Sequence, residues 1–155
     1  MQNPTFTVRV AVWPQDRGAL AAVRHAVFVA EQHVDEHEEW DGLDASCHHV
    51  LAEDAQGRAI GVGRLTRAGQ IGRVAVLPAW RGRRVGTALM RELLAIVRRE
   101  GYEHCYLHAQ LSAVAFYVRL GFAAYGDTFV EADIRHQAMY LEQALPLPLW
   151  PDMQV

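Results

Sequence analysis

The stretch RVAVLPAWRGRRVGTALM, residues 73–90, combines residue types that can bind an anion. Its β-branched run ends at Pro78, which has no amide N–H and cannot continue a central strand. Arginines and glycines then crowd residues 81–87, just before an apolar pattern of helical period. The first amide N–H groups of a helix lack intrahelical acceptors, the helix dipole favours negative charge, and arginine adds charged donors. The spacing therefore predicts a phosphate-binding turn.

This turn is not one of the two best-known phosphate loops. No Gly-Lys-Ser/Thr follows it, as a Walker loop requires, and the dinucleotide fingerprint G-x-G-x-x-G is absent. The alternative interpretation is an ordinary helix N-terminus with arginines on the solvated surface.

Charge is segregated along the chain, although the formal net charge is only −3. Residues 55–91 contain eight arginines and no acidic residue, whereas residues 31–44 contain seven acidic residues and no Lys or Arg. We hypothesise that the acidic run creates a negative potential that favours a cationic substrate, with a cation–π contact from Trp40. A solvated loop is the alternative. Nucleic-acid binding is not expected, because the chain is net acidic and no aromatics interleave the arginines.

Length and composition predict one compact soluble domain. A chain of 155 residues with 51% hydrophobic content is long enough to bury a core. The N-terminus lacks a signal-peptide pattern, no apolar run approaches ~18 residues, and Cys47 and Cys105 have no CxxC spacing. We expect a cytoplasmic protein that does not bind a membrane. The domain is expected over residues 1–145, and residues 146–155, PLPLWPDMQV, read as a loose tail.

Hydrophobic periodicity predicts an α+β fold with the element order β-α-β-β-β-α-β-α-β-β. The sheet is expected to be mixed but mostly antiparallel, with about six to seven strands flanked by helices. The acidic run is predicted to be a loop. The first predicted strand begins at Phe6, and the others cover residues 48–52, 59–65, 71–77, 104–109, 122–130 and 136–141. Predicted helices run from Pro14 to about Glu31, from after Arg83 to Gly101, and over residues 112–120.

Two blocks in the right order resemble the GNAT superfamily of acyl-CoA-dependent N-acyltransferases, and the resemblance covers nearly the whole chain. The family's pyrophosphate loop has the pattern Arg/Gln-x-x-Gly-x-Gly/Ala after a V-x-P strand exit. VLPAWRGRRVGTAL matches it at Val76, Pro78, Arg81 and Gly86, but Arg84 replaces the first motif glycine.

The second block, QLSAVAFYVRLGF, resembles the family element A-x-x-F/L-Y-x-x-x-G-F. It matches at Ala113, Phe116, Tyr117, Gly121 and Phe122, and Gln110 stands where many members have Asn. The segments VFVAEQ and GDTFVEADIRHQAMYL further resemble a branch of small bacterial GNAT proteins.

The resemblance implies acetyl-CoA as co-substrate and a primary amine on a small molecule or peptide as acceptor, with direct attack in a ternary complex. Pantetheine would pair with the strand over residues 74–76, and the Val76 N–H would polarise the thioester carbonyl. The residues expected to bind the cofactor are Val74, Ala75, Val76, Arg81, Gly82, Arg83, Arg84, Val85, Gly86, Thr87, Gln110, Ala113, Phe116 and Tyr117.

By the same resemblance, Tyr117 would donate a proton or hydrogen bond to the departing thiolate. The amine must also lose a proton, and the candidate bases are Glu31, His108 and His136. The residues expected on the acceptor side are Glu31, Trp40, Asp41 and His136.

Two other functional classes remain as alternatives. A CoA-binding sensor or scaffold would share the loop but not turnover. The other alternative is a zinc site in the His-rich run, although no metal is expected, because this run lacks the apolar periodicity of a helix. The residues considered for that site are His33, Glu36, His37, Cys47, His48 and His49. The sequence leaves a homodimer open.

Overall fold

A computed structural model describes residues 5–141 of the chain. The predicted tail, residues 146–155, lies outside the described residues. Within residues 5–141 the chain forms eight strands and four α-helices. The strands are β1 Phe6–Ala11, β2 His48–Asp54, β3 Ala59–Leu65, β4 Gln70–Val76, β5 Tyr106–Gln110, β6 Phe122–Ala124, β7 Phe129–Glu131 and β8 Ile134–Leu141. The α-helices are α1 Trp13–Arg24, α2 Glu36–Glu39, α3 Val85–Arg99 and α4 Val114–Arg119.

The strands form one mixed sheet in the order β1-β2-β3-β4-β5-β8-β6, with β7 paired to β8. Every pair is antiparallel except β4 with β5. Helices cover the sheet, so the predicted α+β fold with a mostly antiparallel sheet is confirmed.

The parallel pairing of β4 with β5 is short. Only Gln70 with Tyr106 and Ile71 with Leu107 are in register, although both strands continue beyond these pairs. The edge of β4 that faces β5 is therefore without a strand partner from Gly72 onward, and a cleft opens between the two strands.

A β-bulge lies in β4 at the start of this cleft. Val62 and Arg64 of β3, two residues apart, oppose Ala75 and Gly72 of β4, three residues apart. The extra residue is accommodated at Arg73, whose φ of 52° is unusual for a non-glycine residue. The bulge changes the direction of β4 where it separates from β5.

The core lies on both faces of the sheet. The stripe Leu89, Leu93 and Ile96 of α3 is fully buried against one face. Close packing requires glycine beneath it, since a Cβ on Gly63 of β3 would lie 2.8 Å from Leu93 Cδ1. Helix α1 covers the other face with Leu20, Val23 and the following Val27.

Three local predictions were wrong. The predicted strand over residues 122–130 is two strands, β6 and β7, because the chain turns at Gly126 with φ 70°. The predicted loop of acidic residues contains α2, which is too short to show periodicity. The first helix changes to a π-helix over His25–Glu31 rather than remaining α-helical.

Candidate active site

The cleft between β4 and β5 has a volume of about 710 Å³. Residues of β4 just before the first motif block, residues of the second block and residues of the acidic run line it. The predicted site residues in its wall are Asp41, Val74, His108, Gln110, Ala113, Tyr117 and His136. The fold therefore brings together residues that are distant in sequence.

The turn at residues 81–84 ends at α3, whose N-terminus has no side-chain cap. Within the described residues, the amides of residues 82–87 donate to no protein acceptor. Gly82 adopts φ 75°, and a Cβ there would meet no atom within 4 Å. A row of free N–H groups at the positive end of a 15-residue helix fits a pyrophosphate.

Arg84 is the N-cap residue of α3 and has φ 66° and ψ 19°. This is the left-handed conformation that glycine adopts without steric cost, which explains the glycine in the family pattern at this position. For arginine the conformation costs about 1–2 kcal/mol. The residue is exposed to solvent.

Val85, Gly86 and Thr87 form the first turn of α3. Val85 is buried in the core, so only its main chain is available to a ligand. A Cβ on Gly86 would lie 3.5 Å from Phe116 Cζ, and this contact joins the two motif blocks in space.

Arg81 connects the turn to the end of the π-helix. Its Nη1 and Nη2 donate to the two carboxylate oxygens of Glu31, each at 2.7 Å, and its Nε donates to the Val76 carbonyl at 3.0 Å. Both side chains of the ion pair are substantially exposed, which limits its strength. The neighbouring Arg83 lies over the Trp80 ring at 5.5 Å.

The main chain of β4 contributes directly to the cleft. The Leu77 N–H donates to Ile60 O on the β3 side, and alternate residues of a strand direct their polar groups to opposite edges. The Val76 N–H therefore faces the β5 side. Ala75 is buried against α1, so its side chain cannot contact a ligand in the cleft.

Tyr117 lies on α4 with its ring between those of Phe116 and Phe122, at centroid distances of 5.0 and 6.0 Å. No group in residues 5–141 forms a hydrogen bond with its hydroxyl. Burial raises the pKa of Tyr117 to about 12, so the phenol remains protonated at neutral pH. A protonated, unpaired hydroxyl in the cleft can donate to a developing anion.

Gln110 at the end of β5 reaches across the cleft. Its Nε2 donates to Oε1 of Gln32, the residue after the π-helix, at 2.9 Å. Gln32 was not among the sequence candidates, and no motif distinguishes it.

An ion cluster, largely buried, lies at the part of the cleft where the acceptor is predicted to bind. Arg24 donates through Nε to Glu39 and through Nη1 to Asp44, both at 2.7 Å. Arg64 donates to both oxygens of Asp41 at 2.9 and 2.8 Å and to Asp44 at 3.0 Å. The members of this cluster, with the bulge residue included, are Arg24, Arg64, Arg73, Glu39, Asp41 and Asp44.

Arg73 attaches α2 to the sheet. Its Nη2 donates to the Glu39 carbonyl at 2.9 Å, and its Nε lies 3.1 Å from Glu39 Oε2, close enough for an ion pair but poorly aligned for a hydrogen bond. The cluster contains equal numbers of arginines and acids. Its acids therefore contribute little net negative potential, contrary to the basis of the cationic-substrate hypothesis.

Two acceptor-side candidates belong to this cluster or contact it. The Arg24 guanidinium lies 4.6 Å from the centre of the Trp40 ring and occupies a face that a cationic substrate would need. Burial would raise the pKa of Asp41, but hydrogen bonds from Arg64 and the Leu43 N–H lower it to about 2. The sequence analysis did not predict Arg24 as part of a cluster. Its position next to Val23, on the apolar stripe of α1, could have indicated a buried charge.

The three candidate bases have different surroundings. The hydrogen bonds from Arg81 lower the pKa of Glu31, which weakens it as a base. His136 is buried, with Nδ1 2.6 Å from Ile134 O and its ring stacked on Phe129. His108 Nδ1 lies 3.1 Å from Oε2 of Glu131, a residue that sequence reasoning did not single out.

The His-rich run is dispersed. His33 has φ 60° and precedes α2, so it does not share a helix face with His37. His49 stacks on Trp13 with its Nε2 2.8 Å from Asp44 O, whereas His48 contacts Tyr102. In the part of the chain that is described, no group of three or more His, Cys, Asp or Glu side chains is arranged to hold a metal ion.

No helix within residues 5–141 is long and apolar enough to cross a membrane.

Comparison with known proteins agrees with this geometry. The model of the GNAT acetyltransferase domain matches residues 15–143. A Bacillus subtilis protein named as an uncharacterized N-acetyltransferase, YjcF, is 33% identical over 121 residues, which cover 76% of this chain and 86% of that protein.

Solved structures give the same result. An acyl-CoA N-acyltransferase from Pseudomonas aeruginosa superposes with a TM-score of 0.73 at 31% identity, covering 89% of this chain and 99% of that one. Escherichia coli ElaA gives a TM-score of 0.76 at 25% identity, covering 87% and 99%. With the uncapped helix, the open β4 edge and the half-buried tyrosine, these matches show that the chain belongs to the GNAT family of acetyltransferases.

Proposed function

We propose that this chain transfers the acetyl group of acetyl-CoA to a primary amine by direct attack in a ternary complex. The observation that carries the proposal is the row of free amides over residues 82–87 beside the unpaired edge of β4. One feature would hold the pyrophosphate and the other the pantetheine, so the thioester would lie in the cleft with Tyr117.

The proposed acetyl transfer requires few groups of the protein. The Val76 N–H would donate to the thioester oxygen as negative charge develops on it, and the Tyr117 hydroxyl would donate to the departing sulfur. Arg81 would have to exchange at least part of its contact with Glu31 for phosphate, and the exposure of this ion pair makes that exchange inexpensive. Gln110, Ala113 and Phe116 would form the wall beside pantetheine.

The acceptor is proposed to be a small-molecule or peptide amine, and the proposal involves no nucleic acid and no membrane. It assigns the protein to the cytoplasm and leaves a homodimer open. A cationic acceptor is supported less by the acidic run as a whole than by Glu38, which lines the cleft and makes no side-chain ion pair within residues 5–141.

The test is a two-step measurement on the full chain. Calorimetry first measures binding of acetyl-CoA, and a screen of polyamines, amino acids, aminoglycosides and peptides then measures release of free CoA thiol. Binding with amine-dependent thiol release is the expected result. Binding without release for any amine would favour the CoA-binding sensor, and failure to bind acetyl-CoA would overturn the proposal.

A further inference from the structure

His108 and Glu131 form a pair of side chains on one wall of the cleft. His108 Nδ1 lies 3.1 Å from Glu131 Oε2, and the Phe129 ring meets the imidazole edge-on at 5.0 Å. Both members of the pair line the cavity that Tyr117 also lines. The pair therefore belongs to the same space as the proposed thiolate donor.

The carboxylate determines the tautomer of the histidine. An ionised carboxylate only accepts hydrogen bonds, so the contact requires a proton on Nδ1. In the neutral ring the lone pair is then on Nε2, and the nearby negative charge stabilises the imidazolium that forms when Nε2 takes a proton.

The other candidate bases lack this arrangement. Nδ1 of His136 faces the neutral Ile134 carbonyl, which offers less stabilisation to an imidazolium than a carboxylate does. Glu31 is already paired with Arg81 through both of its oxygens.

The hairpin between β7 and β8 places Glu131 across β8 from β5, near enough for its side chain to reach His108. Glu131 pairs with Ile134, which leaves the two-residue turn Ala132 and Asp133 with φ values of 51° and 61°. Both are left-handed, as in the tight turns that match the twist of a hairpin, but neither is glycine. Pairing with β8 holds this strained turn in place, and the turn in turn fixes the end of β7 beside the cleft.

The geometry points to His108 as the proton acceptor for the substrate amine, with Glu131 as the positioning residue that directs its Nε2 lone pair into the cleft. This inference rests on the proposed function. The ammonium would transfer one proton to Nε2, and the neutral amine would form the C–N bond as the C–S bond breaks. The second amine proton would pass to the thiolate, with Tyr117 as donor, and His108 would release its proton to water.

Other titratable groups face His108 and belong to any account of its pH dependence. Tyr106 is its neighbour on β5, with ring centroids 6.1 Å apart, and His136 lies beyond Phe129. The charged or titratable residues elsewhere in the cleft wall are His37, Glu38, Glu39, Asp41, Arg64, Arg73 and Tyr117.

The test combines a spectroscopic and a kinetic measurement on the full chain. Long-range ¹H–¹⁵N NMR of the ¹⁵N-histidine-labelled protein reads the tautomer and pKa of His108, with His108→Gln used to assign its signals. The pH profile of kcat at saturating acetyl-CoA and acceptor reads the base in the complex. The variants are His108→Gln, Glu131→Gln and, as a matched control on an exposed loop, Glu103→Gln.

We expect neutral His108 to carry its proton on Nδ1. His108→Gln should lower kcat about 10²-fold or more with little change in acetyl-CoA affinity. Glu131→Gln should lower kcat and reduce the Nδ1-protonated share of neutral His108, because the group facing Nδ1 is then no longer an anion that can only accept a hydrogen bond. Glu103→Gln should leave both unchanged.

An Nε2-protonated ring in the wild-type protein would overturn the inference, as would a full kcat in His108→Gln. An unchanged tautomer of His108 and an unchanged kcat in Glu131→Gln would remove Glu131 from its positioning role. If the wild-type chain binds acetyl-CoA and acetylates an amine while these outcomes occur, the proposed function survives and only this inference fails. If it does neither, the proposed function fails first.

Discussion

Two sides of the cleft, the donor side and the acceptor side of the proposed reaction, use arginine in opposite ways. On the donor side, residues 81–84 contain three exposed arginines beside amides that have no protein acceptor. On the acceptor side, Arg24 and Arg64 are almost fully buried, and their charges are matched by Glu39, Asp41 and Asp44. The donor side is left unsatisfied for a ligand, whereas the acceptor side is already satisfied by the protein.

This difference predicts which substitutions change ligand affinity and which change the stability of the fold. A ligand gains most where polar groups are exposed and preorganised but unpaired, and a fold depends most on charges that are buried and paired. Substitutions on the donor side should therefore change acetyl-CoA affinity with little effect on folding, and substitutions in the ion cluster should do the reverse.

The largest effect is expected in the ion cluster. Arg24→Met should lower the free energy of unfolding by about 3–5 kcal/mol, because it removes one of the two arginines that pair with each of Glu39 and Asp44 and leaves the cluster with an uncompensated negative charge. Urea denaturation measures this change, and Arg98→Met on the exposed surface of α3 is the control. A loss no larger than that of the control would mean that the cluster is a solvated surface network.

The donor side should lose binding without losing its fold. Gly86→Glu should weaken acetyl-CoA binding about 100-fold or more, a change of ~2.7 kcal/mol, because a carboxylate would face the pyrophosphate. Gly86→Ala is the matched control, since its Cβ makes only ordinary contacts, the nearest at 3.5 Å. Calorimetry on folded protein makes the comparison, and unchanged affinity in Gly86→Glu would remove the pyrophosphate assignment.

Substitution of Tyr117 tests the proposed chemistry in the cleft between the donor side and the acceptor side. Tyr117→Phe should lower kcat by roughly 10²-fold and change the KM for acetyl-CoA much less, because the hydroxyl acts only as the thiolate develops. The raised pKa of about 12 keeps the phenol protonated, so the wild-type profile should show no loss of donor below about pH 11. An equal kcat under conditions where chemistry limits the rate would exclude the donor role.

Acid should weaken the acceptor side through Asp41. Its folded-state pKa of about 2 lies below the ordinary value of 3.8, so its contribution is present above pH ~4 and is lost as the pH falls toward 2. Asp41 is an exposed residue and solvent screens its interactions, so the loss amounts to about 1 kcal/mol or less. Urea denaturation from pH 7 to pH 2 should show a smaller acid loss in Asp41→Asn than in the wild-type chain, and parallel losses would contradict the assignment.

The smallest effect concerns the strained N-cap of α3. Arg84→Gly should stabilise the fold by about 0.5–1 kcal/mol, because relief of the left-handed strain exceeds the added freedom of the unfolded chain. Arg83→Gly is the control, since Arg83 is not among the residues with positive φ. If both variants destabilise equally, the strain at Arg84 is negligible.

The sequence predicted the fold and the turn before α3 well because both depend on local patterns. Strand alternation, the stripe on α3 and the two motif blocks each lie within a short stretch of chain. The bulge at Arg73 could not be predicted, since arginine gives no local signal for φ 52°. The ion cluster could not be predicted either, because its partners meet only in the tertiary fold, with Arg64 23 residues beyond Asp41.

The side chains of the cleft follow the same rule, because only those marked by a local motif were predicted. Tyr117 was found because a motif surrounds it, but Glu131 and Gln32 were not, because their partners His108 and Gln110 lie on another strand. The charge segregation was seen correctly in the sequence. Its meaning changed in the structure, where arginines of the basic stretch neutralise several acids of the acidic run.

The short parallel junction between β4 and β5 divides the sheet into two antiparallel units, β1 to β4 and β5 to β8. Only two residue pairs in the sheet join them, although one apolar core that includes α3 contains residues of both units. Units joined in this way can open separately, so their amides can exchange with solvent at different rates. A thioester chain lying in the cleft would contact both units, and its binding would then slow exchange on both sides of the junction at once.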